Sequence, residues 1–346
     1  MAEKQKANLR MVAWELTRSC NLSCRHCRAS SKYGPYPGEL TTSECFNVID
    51  DIASFSKPIV ILTGGEPLLR KDIFQIAKYG KDKGLTMVMA PNGTLLTEDN
   101  IRKIIESGIK RISVSLDGPD AASHDDLRQV PGAFNDACEG LERAKKAGLE
   151  FQINSTVTKR NVKVLPQIIK LAKELGARAH HIFLLVPTGR AKEMTGEELS
   201  PSEYEETLKL LAEEKKVSPL EIRTTCAPHF NRILLERHMA SPSSLTGRGC
   251  MAGVSFCFIS HIGDTQPCGY LEIKCGNVRK QHLKEIWLGS EVFNNIRDFE
   301  LYVGKCGVCE FKAVCGGCRA RAHAKYDNYL REEPYCTYEP KLKHPG

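Results

Sequence analysis

The sequence predicts an α/β fold in which a partial (β/α)6 barrel of parallel strands precedes a smaller, cysteine-rich C-terminal domain. Between residues 11 and 186, short β-branched runs alternate with longer amphipathic stretches, a pattern typical of βαβ units with right-handed crossovers. Glycine commonly ends a helix in the left-handed conformation. Four of the helical stretches are followed by such a residue, at Gly84, Gly108, Gly148 and Gly176. Nine of the 15 cysteines lie between Cys250 and Cys336, which indicates a separate domain at that end.

The predicted elements follow one another in a regular order. Strands are predicted at residues 11–16, 59–63, 86–90, 111–115, 151–157 and 179–186. Helices are predicted between them at residues 42–55, 73–82, 98–107, 134–147 and 165–175. An acidic helix at 201–214 and an amphipathic segment at 230–239 lead to a Ser- and Gly-rich linker at 241–249. We therefore expect a polar tail (1–10), a barrel core (11–195), bridging helices with a linker (196–247) and an auxiliary domain (248–346).

Composition excludes several classes of protein. The chain of 346 residues is long enough for two domains, and it has no run of the roughly 18 apolar residues that a membrane span needs. Its polar, lysine-rich N-terminus predicts no secretory signal. We therefore expect a cytoplasmic protein. In that reducing compartment its cysteines would serve as metal ligands rather than form disulfides. The net charge of +7 comes without a polybasic run, so no nucleic-acid partner is expected.

Three cysteines follow the first predicted strand with the spacing C-x3-C-x2-C, at Cys20, Cys24 and Cys27. Thiolates select soft metals, and three of them within eight residues are too close for core packing or a disulfide framework. Three cysteines bind three irons of a [4Fe–4S] cube, whereas an ordinary electron-transfer cube takes four. One iron is then free for a substrate or cofactor. The alternative is a zinc site completed by His26, although structural zinc prefers paired C-x2-C hooks.

This cysteine loop resembles the signature of the radical S-adenosylmethionine (SAM) enzymes. In that family the open iron chelates the methionine part of SAM, and an electron splits the cofactor to a 5′-deoxyadenosyl radical. The second predicted strand ends in Gly64-Gly65-Glu66-Pro67, which is similar to the family's GGEP element that binds the amino group of SAM. Ligands of β/α barrels bind at the carboxyl ends of the strands, where this turn lies.

Further polar residues follow the fourth and fifth predicted strands at the same end of the barrel. The resemblance implies that Ser115, Asp117 and Asn154 hold the ribose and carboxylate of SAM. Either Lys159 or Arg160 is a further candidate, as the partner of the methionine carboxylate. Plain turn chemistry is the alternative interpretation, because Asp-Gly sequences favour tight turns.

The C-terminal cysteines resemble the SPASM extension of radical SAM enzymes, a half-barrel with two additional [4Fe–4S] clusters. Their order implies one cube held by Cys250, Cys257, Cys268 and Cys318, with Cys275 as the alternative to Cys257. It implies a second cube held by Cys306, Cys309, Cys315 and Cys336. The last pair, Cys315 and Cys318, is one residue closer than in the family pattern. A zinc ribbon is the other interpretation of paired C-x2-C motifs, and Cys45 and Cys138 are predicted to be buried packing residues.

A wider likeness covers nearly the whole chain. It rests on Trp14-Glu15-Leu16-Thr17-Arg18-Ser19-Cys20, Arg28-Ala29-Ser30-Ser31, Gly189-Arg190-Ala191 and Pro334-Tyr335-Cys336, which are similar to the haem-biosynthesis branch of radical SAM enzymes. The branch implies oxidative decarboxylation of two propionates of iron-coproporphyrin III to vinyl groups, giving haem b. It implies SAM and three [4Fe–4S] clusters as cofactors, a tetrapyrrole substrate, and a reductase such as flavodoxin or ferredoxin as electron donor.

The substrate residues are predicted from charge. A macrocycle with four carboxylates favours arginine partners, because guanidinium binds carboxylate bidentately. The candidates are Arg28, Arg190, Arg319 and Arg321. No catalytic acid or base is expected among the side chains, since the cofactor supplies the chemistry. The alternatives are a tetrapyrrole decarboxylase or propionate-removing relative, a peptide-modifying SPASM enzyme, and a non-catalytic iron–sulfur carrier or scaffold.

Overall fold

One mixed sheet of ten strands runs through the computed structural model, which describes residues 7–194, 196–245 and 247–341. The strands are β1 (Met11–Thr17), β2 (Ile59–Gly64), β3 (Thr86–Met89), β4 (Ile112–Ser115), β5 (Phe151–Val157), β6 (Ala179–Leu184), β7 (Glu221–Thr225), β8 (Phe256–Ile259), β9 (Asp264–Gln266) and β10 (Gly276–Asn277). Their order across the sheet is β10-β9-β8-β1-β2-β3-β4-β5-β6-β7.

Strands β1 to β7 are parallel neighbours in chain order, as consecutive β/α units should be. The predicted α/β class, with a parallel barrel-like sheet and a C-terminal cysteine-rich region, is confirmed. Two features go beyond the predicted six units. Strand β7 adds a seventh parallel strand at one edge, and β8 pairs in parallel with β1 at the other side. The C-terminal region thus adds three strands to the same sheet.

The helices alternate with the strands through the first half of the chain. They are α1 (Thr42–Phe55), α2 (Ile73–Asp82), α3 (Glu98–Glu106), α4 (Ala121–Arg128), α5 (Ala133–Lys146), α6 (Leu165–Leu175), α7 (Pro201–Val217), α8 (His229–Glu236), α9 (Leu283–Gly289), α10 (Glu291–Arg297), α11 (Lys305–Val308) and α12 (Arg319–Tyr326). Helices α1, α2, α3, α5 and α6 match the predicted helices to within one residue at each end, whereas α4 was not predicted. The four glycines expected to end helices all have positive φ, between 73° and 87°.

The two faces of the sheet differ in burial. Along β4, Ile112 and Val114 are buried while Ser113 and Ser115 are half-buried, and β5 repeats the alternation. The buried face forms the main hydrophobic core together with the helices. The other face therefore carries the polar side chains, and its carboxyl edge holds the candidate site residues.

A surface ion pair joins α1 to the turn after β10. Arg279 donates to both carboxylate oxygens of Glu44, at 2.7 and 3.1 Å. Hydrogen bonds from Arg279 lower the pKa of Glu44 to about 2. In the part of the chain that the structure describes, no helix has the length and apolar character to cross a membrane.

Candidate metal centres

The loop after β1 brings Cys20, Cys24 and Cys27 together at the carboxyl edge of the sheet. Their side chains share one small cluster with Leu22. Each sulfur accepts a hydrogen bond, from Leu22 N (3.4 Å), Arg128 Nη1 (3.6 Å) and Ser31 N (3.4 Å) respectively. Such donors stabilise thiolate charge around iron–sulfur clusters. The loop therefore fits a cluster with three thiolate ligands.

Burial disfavours ionisation of two thiols of this loop. Burial raises the pKa of Cys20 to about 12, and it also raises the pKa of Cys24. A bound metal removes these protons, because the coordinating thiol is held as thiolate. His26, the alternative zinc ligand, lies with its Nε2 3.6 Å from Asp117 Oδ2. Among residues 7–194, 196–245 and 247–341, no three His, Cys, Asp or Glu side chains are placed to hold one metal ion.

A buried ion pair lies next to Cys24. Asp117, two residues after the end of β4, is fully buried, and its Oδ2 lies 2.5 Å from Arg128 Nη2. Its Oδ1 accepts the backbone N–H of Thr156 at 2.7 Å. Burial alone would raise the pKa of Asp117, but the Arg128 guanidinium holds it below the ordinary value. Arg128 therefore connects an ionised carboxylate to the sulfur of Cys24, and the predicted contact of Asp117 with SAM stays a prediction.

The Gly-Gly-Glu-Pro turn after β2 docks on the end of β1. A Cβ on Gly64 would collide with Thr17 O, and one on Gly65 would collide with Ser19 O. Gly65 N and Glu66 N donate to those two carbonyls, each at 2.8 Å. The close approach of two backbones, which only glycine permits, thus fixes this turn beside the cysteine loop.

Glu66 links three loops of the site. It is fully buried, and its carboxylate accepts the backbone N–H groups of Leu68 (3.0 Å) and Asn92 (2.6 Å). Asn92 Nδ2 in turn donates to Asn21 in the cysteine loop at 2.8 Å. Burial raises the pKa of Glu66 to about 7. Pro67 begins a short 3-10 helix that Glu66 caps, so the carboxylate organises the turn in which it lies.

Replacing Glu66 by Ala is expected to weaken SAM binding on the order of tenfold, because two buried N–H groups lose their acceptor and the turn loosens. Equilibrium dialysis of the anaerobic, cluster-loaded protein measures the dissociation constant. Glu98→Ala, at an exposed position in the first turn of α3, is the matched control and should bind SAM as the parent does. An unchanged constant for Glu66→Ala would remove this residue from the SAM site.

The other predicted SAM residues lie along the carboxyl edge. Ser115 of β4 and Asn154 of β5 are register partners and both are half-buried, on the face away from the main core. Lys159 and Arg160 are exposed. Arg160 pairs with Glu197 at 2.6 Å and Asp126 at 3.0 Å. Ser115 and Asn154 are therefore placed together, while Arg160 already has two carboxylate partners.

Arg28 lies beside the cysteine loop in an ion pair that the sequence did not predict. Its Nη2 lies 2.5 Å from Glu15 Oε2, and its guanidinium stacks 4.5 Å from the centre of the Phe258 ring. Glu15 is fully buried on β1, and its other oxygen lies 2.7 Å from His261 Nδ1. Glu15 thus joins the cysteine loop to the end of β8.

Arg190 contacts the backbone of the cysteine loop at two points. Its Nε donates to Cys24 O at 2.8 Å and its Nη1 to Ser31 O at 2.7 Å. Its buried Nη2 has no hydrogen-bond partner among the described residues. Arg190 therefore combines a structural role with one donor left for a ligand.

Four thiols line one cavity in the C-terminal region. They are those of Cys306, Cys309, Cys315 and Cys336. Backbone N–H groups point at these sulfurs, including Glu333 N to Cys306 and Phe311 N to Cys309, both at 3.4 Å. A cavity lined by four thiols with N–H donors fits a fully ligated iron–sulfur cube.

A turn of two glycines separates this cavity from a second group of cysteines. Gly316 and Gly317 have φ of 80° and 56°, which glycine adopts without strain. A Cβ on Gly316 would collide with Arg248, and one on Gly317 would lie 3.0 Å from Cys306 Sγ. Cys315 and Cys318, on either side of the turn, thereby join different groups.

The second group contains Cys250, Cys268 and Cys318. The charge of Cys318 raises the pKa of Cys250, and the charges of Cys250 and Cys318 raise the pKa of Cys268, as expected for neighbouring thiols. The backbone N–H of Arg319 acts to lower the pKa of Cys250, those of Tyr270 and Leu271 that of Cys268, and that of Arg321 that of Cys318. Cys257 lies elsewhere, fully buried on β8 opposite Val12 in the main core, and Cys275 packs against the same core.

The last two candidate arginines are buried within the C-terminal region, 0% and 1% exposed for Arg319 and Arg321. Arg319 donates to Tyr329 O and Arg331 O at 3.0 and 2.8 Å and lies 3.6 Å from Cys306 Sγ. Arg321 lies 3.5 Å from Glu333. The guanidinium group of Arg319 is therefore occupied by protein partners, whereas Nε and Nη1 of Arg321 are buried without a hydrogen-bond partner among the described residues.

Two family models match the chain. The radical SAM superfamily matches residues 14–172, and the SPASM iron–sulfur cluster-binding domain matches residues 250–318. A protein of Nitratidesulfovibrio vulgaris named AdoMet-dependent heme synthase is 48% identical, over 97% of this chain and 94% of that protein. A protein of Methanosarcina barkeri named Fe-coproporphyrin III synthase is 31% identical, over 94% and 87%. The structure of Streptococcus suis SuiB bound to S-adenosylmethionine shares the fold, with a TM-score of 0.76 at 15% identity over 96% of this chain and 78% of that one.

Proposed function

The chain belongs to the family of AdoMet-dependent haem synthases, radical SAM enzymes with a C-terminal SPASM domain, and from this premise we propose that it converts iron-coproporphyrin III to haem b. The observation that carries the proposal is 48% identity across 97% of the chain, against 31% to the Fe-coproporphyrin III synthase. In the proposed reaction each of two propionates becomes a vinyl group. Each loses CO2, one hydrogen atom and one electron, so both a hydrogen acceptor and an electron acceptor are required.

The proposed cofactors are SAM and three [4Fe–4S] clusters. Cys20, Cys24 and Cys27 would hold the first cluster, which together with SAM supplies the radical that takes the hydrogen atom. The cavity lined by Cys306, Cys309, Cys315 and Cys336 supports a second cluster, and the group around Cys250 supports a third. The chain's own part is to hold these groups. Glu66 fixes the turn beside the first cluster, and Ser115 with Asn154 offers hydrogen bonds to SAM.

The substrate carboxylates would lie near the cysteine loop. Arg28 and Arg190 flank that loop, and Arg190 has a buried donor without a protein partner among the described residues. Arg319 would have to exchange buried partners in order to bind a carboxylate, and Arg321 is buried beside the carboxylate of Glu333. We therefore propose Arg190 as the carboxylate partner on the substrate side, while Arg28 keeps its ion pair with Glu15 and Arg319 and Arg321 lie next to the auxiliary ligand Cys318.

The electron that starts each turnover would come from a reductase such as flavodoxin or ferredoxin. An iron without a protein thiolate is open to oxidants as well as to SAM. We therefore propose that the protein works in a reducing, anaerobic cytoplasm.

The decisive experiment is an anaerobic incubation of the reconstituted protein with SAM, dithionite and iron-coproporphyrin III. Mass spectrometry should show two successive losses, each of CO2 and two hydrogen atoms, with formation of 5′-deoxyadenosine. Didecarboxysiroheme and a peptide serve as comparison substrates and should stay unchanged. Deoxyadenosine without a change in the porphyrin would contradict the proposed substrate, and no deoxyadenosine at all would contradict SAM cleavage.

Cys306→Ala or Cys309→Ala is expected to lower bound iron and block haem formation, while deoxyadenosine formation partly persists. The reason is that the cavity loses one of its four thiolates whereas the loop after β1 is untouched. Iron analysis and product quantification measure both effects. Cys138→Ala, which removes a half-buried thiol of α5, should change neither. Full turnover with unchanged iron in Cys306→Ala would mean that this cavity holds no cluster needed for the reaction.

A further inference from the structure

Cys226 lies immediately after β7, in a backbone conformation that is rare for residues other than glycine. Its φ is 57°, a left-handed conformation that is unfavourable for a residue with a Cβ. Two buried side chains hold it there, since Tyr204 Oη donates to Cys226 O at 2.9 Å and Arg321 donates to the same carbonyl. The surrounding structure therefore fixes the direction of this side chain.

The thiol of Cys226 meets the second group of cysteines. The side chains of Cys226 and Cys318 are close enough for each to shift the pKa of the other. Cys226 and Cys268 both pack against the small apolar cluster that contains Cys318, and Cys250 lies close to Cys268 and Cys318. Four thiols from four separate segments thus come together between the edge of the barrel and the C-terminal region.

The cysteines that sequence order would choose do not reach this group. Cys257 points into the main core from β8, with Phe293 and Trp287 in the same apolar cluster. Cys275 packs against that core, and the nearby charge of Cys275 raises the pKa of Cys257. These two thiols are therefore neighbours of each other, apart from Cys250, Cys268 and Cys318.

We infer that Cys226 is the fourth protein ligand of the auxiliary [4Fe–4S] cluster held by Cys250, Cys268 and Cys318. The inference rests on the proposed function in so far as that function includes a cluster at this place. With four thiolates the cube has no open iron, so it is suited to electron transfer and not to anchoring a substrate carboxylate. It also ties strand β7 of the barrel to the C-terminal region.

Iron counting in a background without the SAM cluster tests this inference. In Cys20→Ala/Cys24→Ala/Cys27→Ala protein reconstituted anaerobically, all cluster iron and sulfide belong to the auxiliary sites. Adding Cys226→Ala should leave between about half and about seven-eighths of that iron, depending on whether a cube or a single iron is lost. If a single iron is lost, mild oxidation should give the EPR signal of a three-iron cluster. Ala tolerates the left-handed backbone no worse than Cys does, so the comparison isolates the thiol.

Cys257→Ala and Cys275→Ala in the same background are the matched controls and should keep the full iron content and the parent EPR spectrum. The inference is overturned if Cys226→Ala keeps both, if Cys257→Ala loses iron instead, or if the background binds no iron. Should Cys226→Ala prove insoluble, Cys226→Ser decides the question, since an oxygen ligand shifts the EPR g values and an uninvolved residue leaves them unchanged. None of these measurements needs porphyrin turnover, so they are independent of the haem assay.

Discussion

A variant with Ala in place of Cys20, Cys24 and Cys27 is expected to lose SAM cleavage completely. These three thiols share one small cluster at the end of β1, and each accepts an N–H donor suited to a thiolate. Without them no iron is held next to the Gly-Gly-Glu-Pro turn. Anaerobic incubation with SAM and dithionite, followed by quantification of 5′-deoxyadenosine, measures the loss.

The same variant should keep its auxiliary iron, because the C-terminal cysteines contribute no atom to the first site. Cys45→Ala is the control for removal of a buried thiol, since Cys45 lies in α1 within the main core. It should cleave SAM at the parent rate. Continued deoxyadenosine production by the triple variant would overthrow the central assignment of this protein.

The second large effect concerns stability. Asp117→Asn is expected to destabilise the fold by about 3–5 kcal/mol, because it leaves the buried guanidinium of Arg128 without its counter-charge. The amide keeps the shape of the carboxylate and still accepts the N–H of Thr156, so the change is one of charge. Urea unfolding of the metal-free protein under anaerobic, reducing conditions measures the free energy of unfolding.

Two further variants test whether the loss of stability in Asp117→Asn comes from the broken ion pair. Asp99→Asn breaks an exposed pair with Arg102, and such surface pairs contribute only about 0–1 kcal/mol. Asp117→Asn combined with Arg128→Met removes both charges and should recover part of the lost stability. If Asp117→Asn unfolds at the same urea concentration as the parent, the pair does not stabilise the fold.

Much of the barrel could be predicted because its signals are local. The helical patterns at residues 42–55, 73–82 and 165–175 coincide with α1, α2 and α6. Strand β7 could not be recognised in the same way, since Glu221–Thr225 contains a single buried residue, Ile222. Its place in the sheet comes from pairing with β6 rather than from its own pattern. The parallel pairing of β8 with β1 likewise depends on residues far apart in the chain.

The candidate site shows the same difference between local and long-range signals. Spacing alone selects Cys20, Cys24 and Cys27, because the ligands of this loop are neighbours in sequence. Charge alone cannot distinguish an arginine that binds substrate from one that stabilises the fold. Arg319, for example, donates its hydrogen bonds to backbone carbonyls. The signal that could have found Cys226 is a cysteine directly after the β-branched pair Thr224 and Thr225.

The parallel pairing of β1 with β8 also affects how the chain folds during synthesis on the ribosome. Met11 pairs with Phe256, so one side of β1 waits for about 245 residues before its partner is made. An unpaired strand edge is a template for aggregation, and such long-range pairing slows folding. A chain that ends before β8 would leave β1 as a permanently unpaired edge strand of its sheet. The C-terminal region thus covers this edge of β1, and nascent chains should depend on chaperones until it has been synthesised.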